Sequence, residues 1–287
     1  MWKNIEVLYF PPCLEEGISC QDGETVDDLN GNYWKSGREM FAENRKDVTY
    51  TAVVLAAGSG RRMKSDLPKQ YMDLSGKPLI YYALKAFQDS PIPEIVLVVS
   101  KGDIDYCRRE IVERFQLDKV KEIVEGGNER AESVLNGLEA SSGEYVLIHD
   151  GARAFLTQDV ITRMMEGVLE YKAAVAAVPE KNTIKVVDSE NYVKSTPDRS
   201  SLWEIQTPQA FDRELLLNSY KKIIQDCQGE FDYSKITDDA MVVEKAGLVI
   251  DGRSPKIKLI MGDYQNIKMT TPEDIPYGEF LIQSRQG

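Results

Sequence analysis

From Thr51 to Pro179 the chain alternates short apolar runs with longer stretches in which apolar residues return every three or four positions. The runs Thr51–Ala57, Glu94–Ser100, Val120–Glu125, Tyr145–Asp150 and Ala173–Pro179 predict strands. The stretches 78–88, 103–115, 129–140 and 159–171 predict helices between them. Strands that alternate with helices of this length predict an α/β fold built on a doubly wound, mostly parallel, Rossmann-like sheet. Ligands of such sheets bind beyond the carboxyl ends of the strands. That rule brings Gly58 to Lys69, Gly126 to Asn128 and Asp150 to Arg153 to one rim, although they lie far apart in the chain.

Two segments break the alternation. Residues 181–203 read as a β-hairpin: 183–187 and 192–196 are strand-like and Asp188 to Asn191 form a polar turn between them. A lone two-stranded arm is marginal in water unless something covers it. Residues 1–48 carry Glu15, Glu16, Asp22, Glu24, Asp27 and Asp28 without a sustained period, and they are expected to be a poorly ordered, non-catalytic extension. The domain proper is then 49–287, with the arm at about 181–203.

Residues 55–70 change the picture most. A glycine-bearing loop, Gly58-Ser59-Gly60, leaves the first apolar strand and is followed at once by Arg61, Arg62, Lys64 and Lys69, with Asp66 as the one carboxylate among them. The chain as a whole carries a formal charge of -12, so this loop concentrates positive charge in an acidic protein. Glycines let the backbone close on a ligand, and backbone N–H groups there can face phosphate oxygens. A dinucleotide fingerprint would need a third glycine where Met63 stands, and a P-loop would need Gly-Lys-Ser/Thr, which is absent. The loop reads as a site for a nucleoside triphosphate.

Composition narrows the classes further. The acidic balance argues against a nucleic-acid partner, because such binding rests on cationic contacts to phosphates. No apolar stretch approaches the roughly 18 residues of a membrane span, and the N-terminal residues lack the order of a signal peptide; a cytoplasmic protein without a membrane partner is expected. Cys13, Cys20, Cys107 and Cys227 are sparse and form no Cys-x-x-Cys pair, so reduced thiols are expected. His149 is the single histidine and sits in an apolar run, which excludes a histidine-cluster zinc site and marks it as a buried strand residue outside the chemistry.

Several blocks in order resemble the cytidylyltransferases of the sugar-nucleotidyltransferase-like family: the loop at 55–70, Gly126 to Val134, His149 to Arg153, Thr207-Pro208-Gln209, Ile236 to Ala240 and Asn266 to Thr270. The resemblance runs from about Thr51 to the C-terminus and implies transfer of CMP from CTP to a sugar-alcohol monophosphate, with Mg2+ accompanying the nucleotide. The letters Ala56-Ala57-Gly58 and Glu129 to Ser133 favour 2-C-methyl-D-erythritol 4-phosphate, of isoprenoid synthesis, over ribitol 5-phosphate, of cell-wall assembly. A nucleotide-binding regulatory protein without turnover is a further alternative, disfavoured because Arg62, Lys69 and Lys268 are all present.

By the same resemblance Arg62, Lys69 and Lys268 stabilise the transition state and Arg61 helps on the triphosphate. Ala56, Ala57, Gly58, Ser59, Gly60, Gly126, Asn128 and Ser133 hold the nucleotide, and Asp150 meets the ribose or the Mg2+. Arg153, Thr183, Arg199, Thr207, Thr237 and Thr270 receive the alcohol phosphate, with Thr183 and Arg199 acting from the arm across a homodimer. Two positions depart from the common pattern: Asn128 where many members have Asp, and Ala154 where proline is common.

Overall fold

In the computed structural model the described residues are 48–58, 68–227, 231–249 and 254–286. The chain divides into 1–47 and 48–287, and all the described residues belong to the second unit. The extension expected over residues 1–48 therefore lies, up to residue 47, outside the described residues.

Strand β1 (Tyr50–Ala56) leads to a short hairpin, β2 (Asp73–Leu74) and β3 (Lys77–Pro78), and then to helix α1 (Leu79–Gln88). Next come β4 (Glu94–Val99), the helical segment α2 (Ile104–Tyr106, continuing π-wound over Cys107–Glu113), β5 (Val120–Glu125) and α3 (Arg130–Ala140). They are followed by β6 (Tyr145–Asp150), α4 (Gln158–Tyr171) and β7 (Ala173–Pro179). The arm, β8 (Val186–Val187) and β9 (Val193–Ser195), precedes β10 (Trp203–Asp212), α5 (Arg213–Asp226), α6 (Asp239–Ala246), β11 (Lys258–Met261) and α7 (Asp274–Gln286).

Among the described residues seven strands form one sheet in the order β11-β7-β10-β6-β1-β4-β5. All neighbours pair in parallel except β10, which runs antiparallel to both β6 and β7. The sheet is thus mostly parallel, as the alternation predicts. Successive side chains of a strand face opposite sides, and the core divides accordingly. Ala52, Val54, Ile95, Leu97 and Leu147 meet α1 and α4 on one face. Val53, Val96, Val98, Val146 and Ile148 meet α3, α5 and α6 on the other. A third cluster joins Leu74 and Leu79 to Ala152, Phe155, Met269, Leu281 and Ile282, so that α7 packs over the loop that follows β6.

Helix starts follow local chemistry. The side chains of Thr157, Asp212 and Asp238 accept N–H groups from the first turns of α4, α5 and α6, and the Glu132 carboxylate accepts the Glu129 N–H at α3. Such caps satisfy donors that have no partner inside the helix.

Two elements differ from expectation. The helix predicted over 103–115 is π-wound in its second half, with Arg114 N–H bonding Arg109 O and Leu117 N–H bonding Val112 O; this winding still buries Cys107 and Ile111 against the sheet. Strand β10 has no apolar signature because Gln206, Thr207 and Gln209 are buried polar residues, and β10 shifts register with β7 between Ile205 and Gln209. The two glutamines find partners in later segments: Gln206 Nε2 donates to Asp263 O at 2.9 Å, and Gln209 Oε1 accepts the N–H groups of Asp239 and Ala240. No described helix is long and apolar enough to cross a membrane.

Candidate active site

The carboxyl ends of β1, β5 and β6 open into a cleft of about 340 Å³. Its walls come from Leu55 to Gly58, Lys69 and Gln70, Gly127 to Arg130, Ser133, Asp150, Ala152 and Lys268. Sheet register explains the convergence. Leu55 lies opposite Asp150, so the ends of β1 and β6 share the rim. Beyond β5 the chain folds back toward β1: Gly126 N–H bonds Val99 O at 2.8 Å, and Ser100 Oγ donates to Ala57 O at 3.2 Å. A side chain at position 126 would place its Cβ 2.4 Å from Ala57 Cβ and 2.6 Å from Ser133 Oγ, so glycine is what allows this closure. Ser133 Oγ accepts the Gly127 N–H and donates to Glu129 O, each at 3.1 Å, which anchors the turn leading into α3.

The charges of the cleft are ordered around Asp150. One carboxylate oxygen accepts Arg130 Nε at 3.2 Å and the other accepts Lys268 Nζ at 2.7 Å. Burial alone would raise this carboxyl, but the adjacent Arg130 and Lys268 charges outweigh it and hold it well below the usual carboxylate range. Arg130 also spans both oxygens of the fully buried Asp239, at 2.9 Å each. Burial pushes the Asp239 carboxyl up, and the guanidinium that grips both of its oxygens opposes that shift. Lys268 is delivered by a loop tied to the turn after β6: Met269 N–H bonds Ala152 O at 2.9 Å, and Arg153 Nη1 donates to Asn266 O at 2.7 Å.

Of the residues expected at the site, Ala56, Ala57, Gly58, Lys69, Asn128, Ser133, Asp150 and Lys268 come together in the cleft walls. Ser59, Gly60, Arg61 and Arg62 lie outside the described residues. Gly126 shapes the wall from behind. Arg153 is buried and spends its guanidinium on backbone carbonyls, those of Asn266 and Ile205. Thr207 is buried and its hydroxyl serves the fold, accepting Asp150 N–H at 3.1 Å and pairing with His149 Nδ1 at 3.0 Å. Thr270 bonds Asp274 at the start of α7. Thr237 is exposed, and so are Thr183 and Arg199 on the arm; none of the three lines the cleft.

Residue-type reasoning missed Gln70, Glu129, Arg130, Gln209 and Asp239. Gln70 lines the cleft, is 2% exposed, and neither end of its amide has a partner among the described residues. Leaving such groups unmet costs roughly 1–3 kcal/mol each. Arg130 and Asp239 stand inside motif blocks that the sequence displays, and only the fold reveals that they pair across 109 positions.

No group of three or more His, Cys, Asp or Glu residues among those described is arranged to hold a metal. Asp150 is the carboxylate at the head of the cleft, and each of its oxygens keeps a lone pair beyond its cationic partner. That donor set fits an ion carried in by phosphates and touched by one carboxylate, the usual manner of Mg2+.

A mostly parallel α/β sheet with lysines converging on a cleft at its strand ends defines a nucleotide-handling enzyme of the Rossmann-like class. The family model described as IspD, 2-C-methyl-D-erythritol 4-phosphate cytidylyltransferase, matches residues 50–284. A protein of that name from Lachnospira eligens is 49% identical over 236 residues, 81% of this chain and 99% of that protein. Another, from Caldanaerobacter subterraneus subsp. tengcongensis, is 42% identical over 239 residues, 82% of this chain and all of that protein (100%). Among solved structures, 4-diphosphocytidyl-2C-methyl-D-erythritol synthase from Anaerococcus prevotii superposes with a TM-score of 0.69 at 33% identity, covering 82% of this chain and 96% of that one. The chain belongs to the 2-C-methyl-D-erythritol 4-phosphate cytidylyltransferase family.

The only histidine gives a direct check on this rim. Its Nε2 lies 3.1 Å from Arg153 O, which can only accept, so Nε2 carries the proton and Nδ1 accepts from Thr207. Burial pushes the imidazole down to about 4. An unfolded histidine takes a proton near 6.5 while the folded one does not, so stability falls as pH drops from about 6.5 to about 4, by roughly 3 kcal/mol in all, and this component levels off below. The imidazole C–H resonances of the native protein should titrate near 4, and His149→Gln should lack this component of acid destabilisation. A midpoint near 6.5 would contradict the buried, doubly bonded ring.

Proposed function

We infer that the protein transfers CMP from CTP to 2-C-methyl-D-erythritol 4-phosphate, giving 4-diphosphocytidyl-2-C-methyl-D-erythritol and pyrophosphate. The observation that carries this reading is the placement of Lys69 and Lys268 in one cleft with the Ala56–Gly58 and Gly127–Ser133 walls, within a chain that matches the family from residue 50 to 284. An oxygen of the alcohol's phosphate attacks the α-phosphorus in line. A new P–O bond forms, the bond from the α-phosphorus to the bridging oxygen breaks, and its electron pair leaves with pyrophosphate. The attacking oxygen is already ionised near neutral pH, so the protein's work is to bring two anions together and to neutralise the charge that builds at the α-phosphate.

Lys69 and Lys268 supply that neutralisation, joined by Arg62 and Arg61. Ala56, Ala57 and Gly126 present backbone groups to the base, with Asn128 and Ser133 beside them. Asp150 meets the ribose or the Mg2+ that enters with CTP, and when bound that ion offsets phosphate charge. Arg153, Thr207, Thr237 and Thr270 belong to the side of the alcohol phosphate; the internal bonds of Thr207 and Arg153 suit them to shaping that side.

Lys69→Ala and Lys268→Ala should each lower kcat for pyrophosphate release by about 100- to 1,000-fold, the scale set by removing one preorganised contact to developing charge. Retention of the rate within a few-fold by both variants would remove these lysines from the chemistry.

The arm supports a homodimer. Ile184, Val186, Val187, Tyr192, Val193, Trp203 and Ile205 are all exposed large apolar residues, from 37% at Trp203 to 68% at Tyr192. Such a patch on an element as small as β8 and β9 calls for a covering surface, and a second copy provides one. Thr183 and Arg199 would then reach the partner's cleft. Mixed Lys69→Ala and Arg199→Ala subunits should recover part of the activity that each lacks alone. No recovery despite proven subunit exchange would show that the arm does not act in trans. The acidic charge and sparse cysteines suit a cytoplasmic enzyme.

A further inference from the structure

The block Ile236 to Ala240 contributes only Thr237 to the transfer as proposed, yet it holds the most deeply buried charge beside the cleft. Asp239 is 0% exposed and does not line the cleft. It is held from two directions. Its own N–H and that of Ala240 donate to Gln209 Oε1, at 2.9 and 3.0 Å, and Gln209 Nε2 donates to Asp238 Oδ2 at 3.0 Å. The other oxygen of Asp238 caps α6 by accepting Met241 N–H at 3.0 Å. Asp239 is therefore fixed to β10 and to a helix start at once.

Its carboxylate takes Nη1 and Nη2 of Arg130, and the remaining edge of the same guanidinium, Nε, reaches Asp150 Oδ1. Asp150 Oδ2 then holds Lys268 Nζ at 2.7 Å. Charges alternate along one path from an immobile buried anchor to the cleft: Asp239, Arg130, Asp150, Lys268. The path uses the planar fork of arginine on two faces, which the single ammonium of a lysine cannot reproduce. Every link is short enough to set direction as well as charge.

We propose that Arg130, anchored by Asp239, is a positioning residue for cytidylyl transfer. It fixes the Asp150 carboxylate in the orientation whose second oxygen places Lys268 over the cleft. Arg130 acts through Asp150 and Lys268, not on the reacting atoms. The inference rests on the reading of Lys268 as a phosphate-stabilising residue, and its test separates the two.

A double-mutant cycle on the full chain provides that test, with Arg130→Lys, Asp239→Asn, Lys268→Ala and the two double variants. Readouts are pyrophosphate release with CTP, methylerythritol phosphate and Mg2+, CTP affinity by calorimetry, and thermal melting to establish folding. Arg130→Lys and Asp239→Asn should each lower kcat about 10- to 100-fold while CTP affinity stays within about threefold, the signature of an interaction expressed in the transition state. In the Lys268→Ala background the same substitutions should cost at least about fivefold less in kcat, because one of the two residues they act through is gone. Equal losses in both backgrounds, or no loss in the native one, would overturn the positioning role and leave Lys268 in place. An unaffected rate in Lys268→Ala would overturn both. Where Arg130→Lys does not fold, Asp239→Asn, which keeps the side chain's shape, carries the cycle.

Discussion

The Asp150 carboxylate ends a buried strand with a cation on each of its oxygens, Arg130 on one and Lys268 on the other. A carboxylate so placed is costly unless it is paired, so its ionised state requires both partners to stay. That requirement binds together three parts of the chain with no sequence proximity: the end of β6, the start of α3 and the loop of residues 262–270. The hydrogen bonds of Arg153 and Met269 secure the loop, and the Asp239 contact secures Arg130. The rim around the cleft is organised by this one charge.

An acidic protein binds an anionic nucleotide because only the local field has to be positive. Lys69, Arg130 and Lys268 face one cleft, with Asp150 and Glu129 among its walls. Asp150 does more than offset cations there: it limits where the ammonium of Lys268 stands before substrate arrives. Arranging charges before the reaction, so that little reorganisation is needed during it, is the main way an enzyme without a general base accelerates phosphoryl chemistry. In the proposed reaction the backbone wall of Ala56 to Gly58 and Gly126 would serve the same end, holding the nucleotide against the strand ends.

Much of this is legible in the letters. The alternation of strand-like and helix-like stretches marks β5, β6 and β7 to their ends, and the carboxyl-end rule alone places Gly58, Gly126 and Asp150 on one rim. Strand β10 is not legible, because the buried side chains of Gln206, Thr207 and Gln209 find their partners in segments distant in the sequence. The same reason hides Arg130 and Asp239: a salt bridge across more than a hundred residues leaves no periodicity. Thr207 shows the converse. Its motif marks it clearly, but its hydroxyl turns to His149 and to the backbone of Asp150, which a motif alone does not reveal.

The most direct test of the proposed activity is alcohol-phosphate choice: pyrophosphate release from CTP and Mg2+ with 2-C-methyl-D-erythritol 4-phosphate, set against ribitol 5-phosphate under the same conditions. Turnover with methylerythritol phosphate and little with ribitol phosphate is the predicted result. A preference for ribitol 5-phosphate, or no turnover with either from a folded protein that binds CTP, would contradict it.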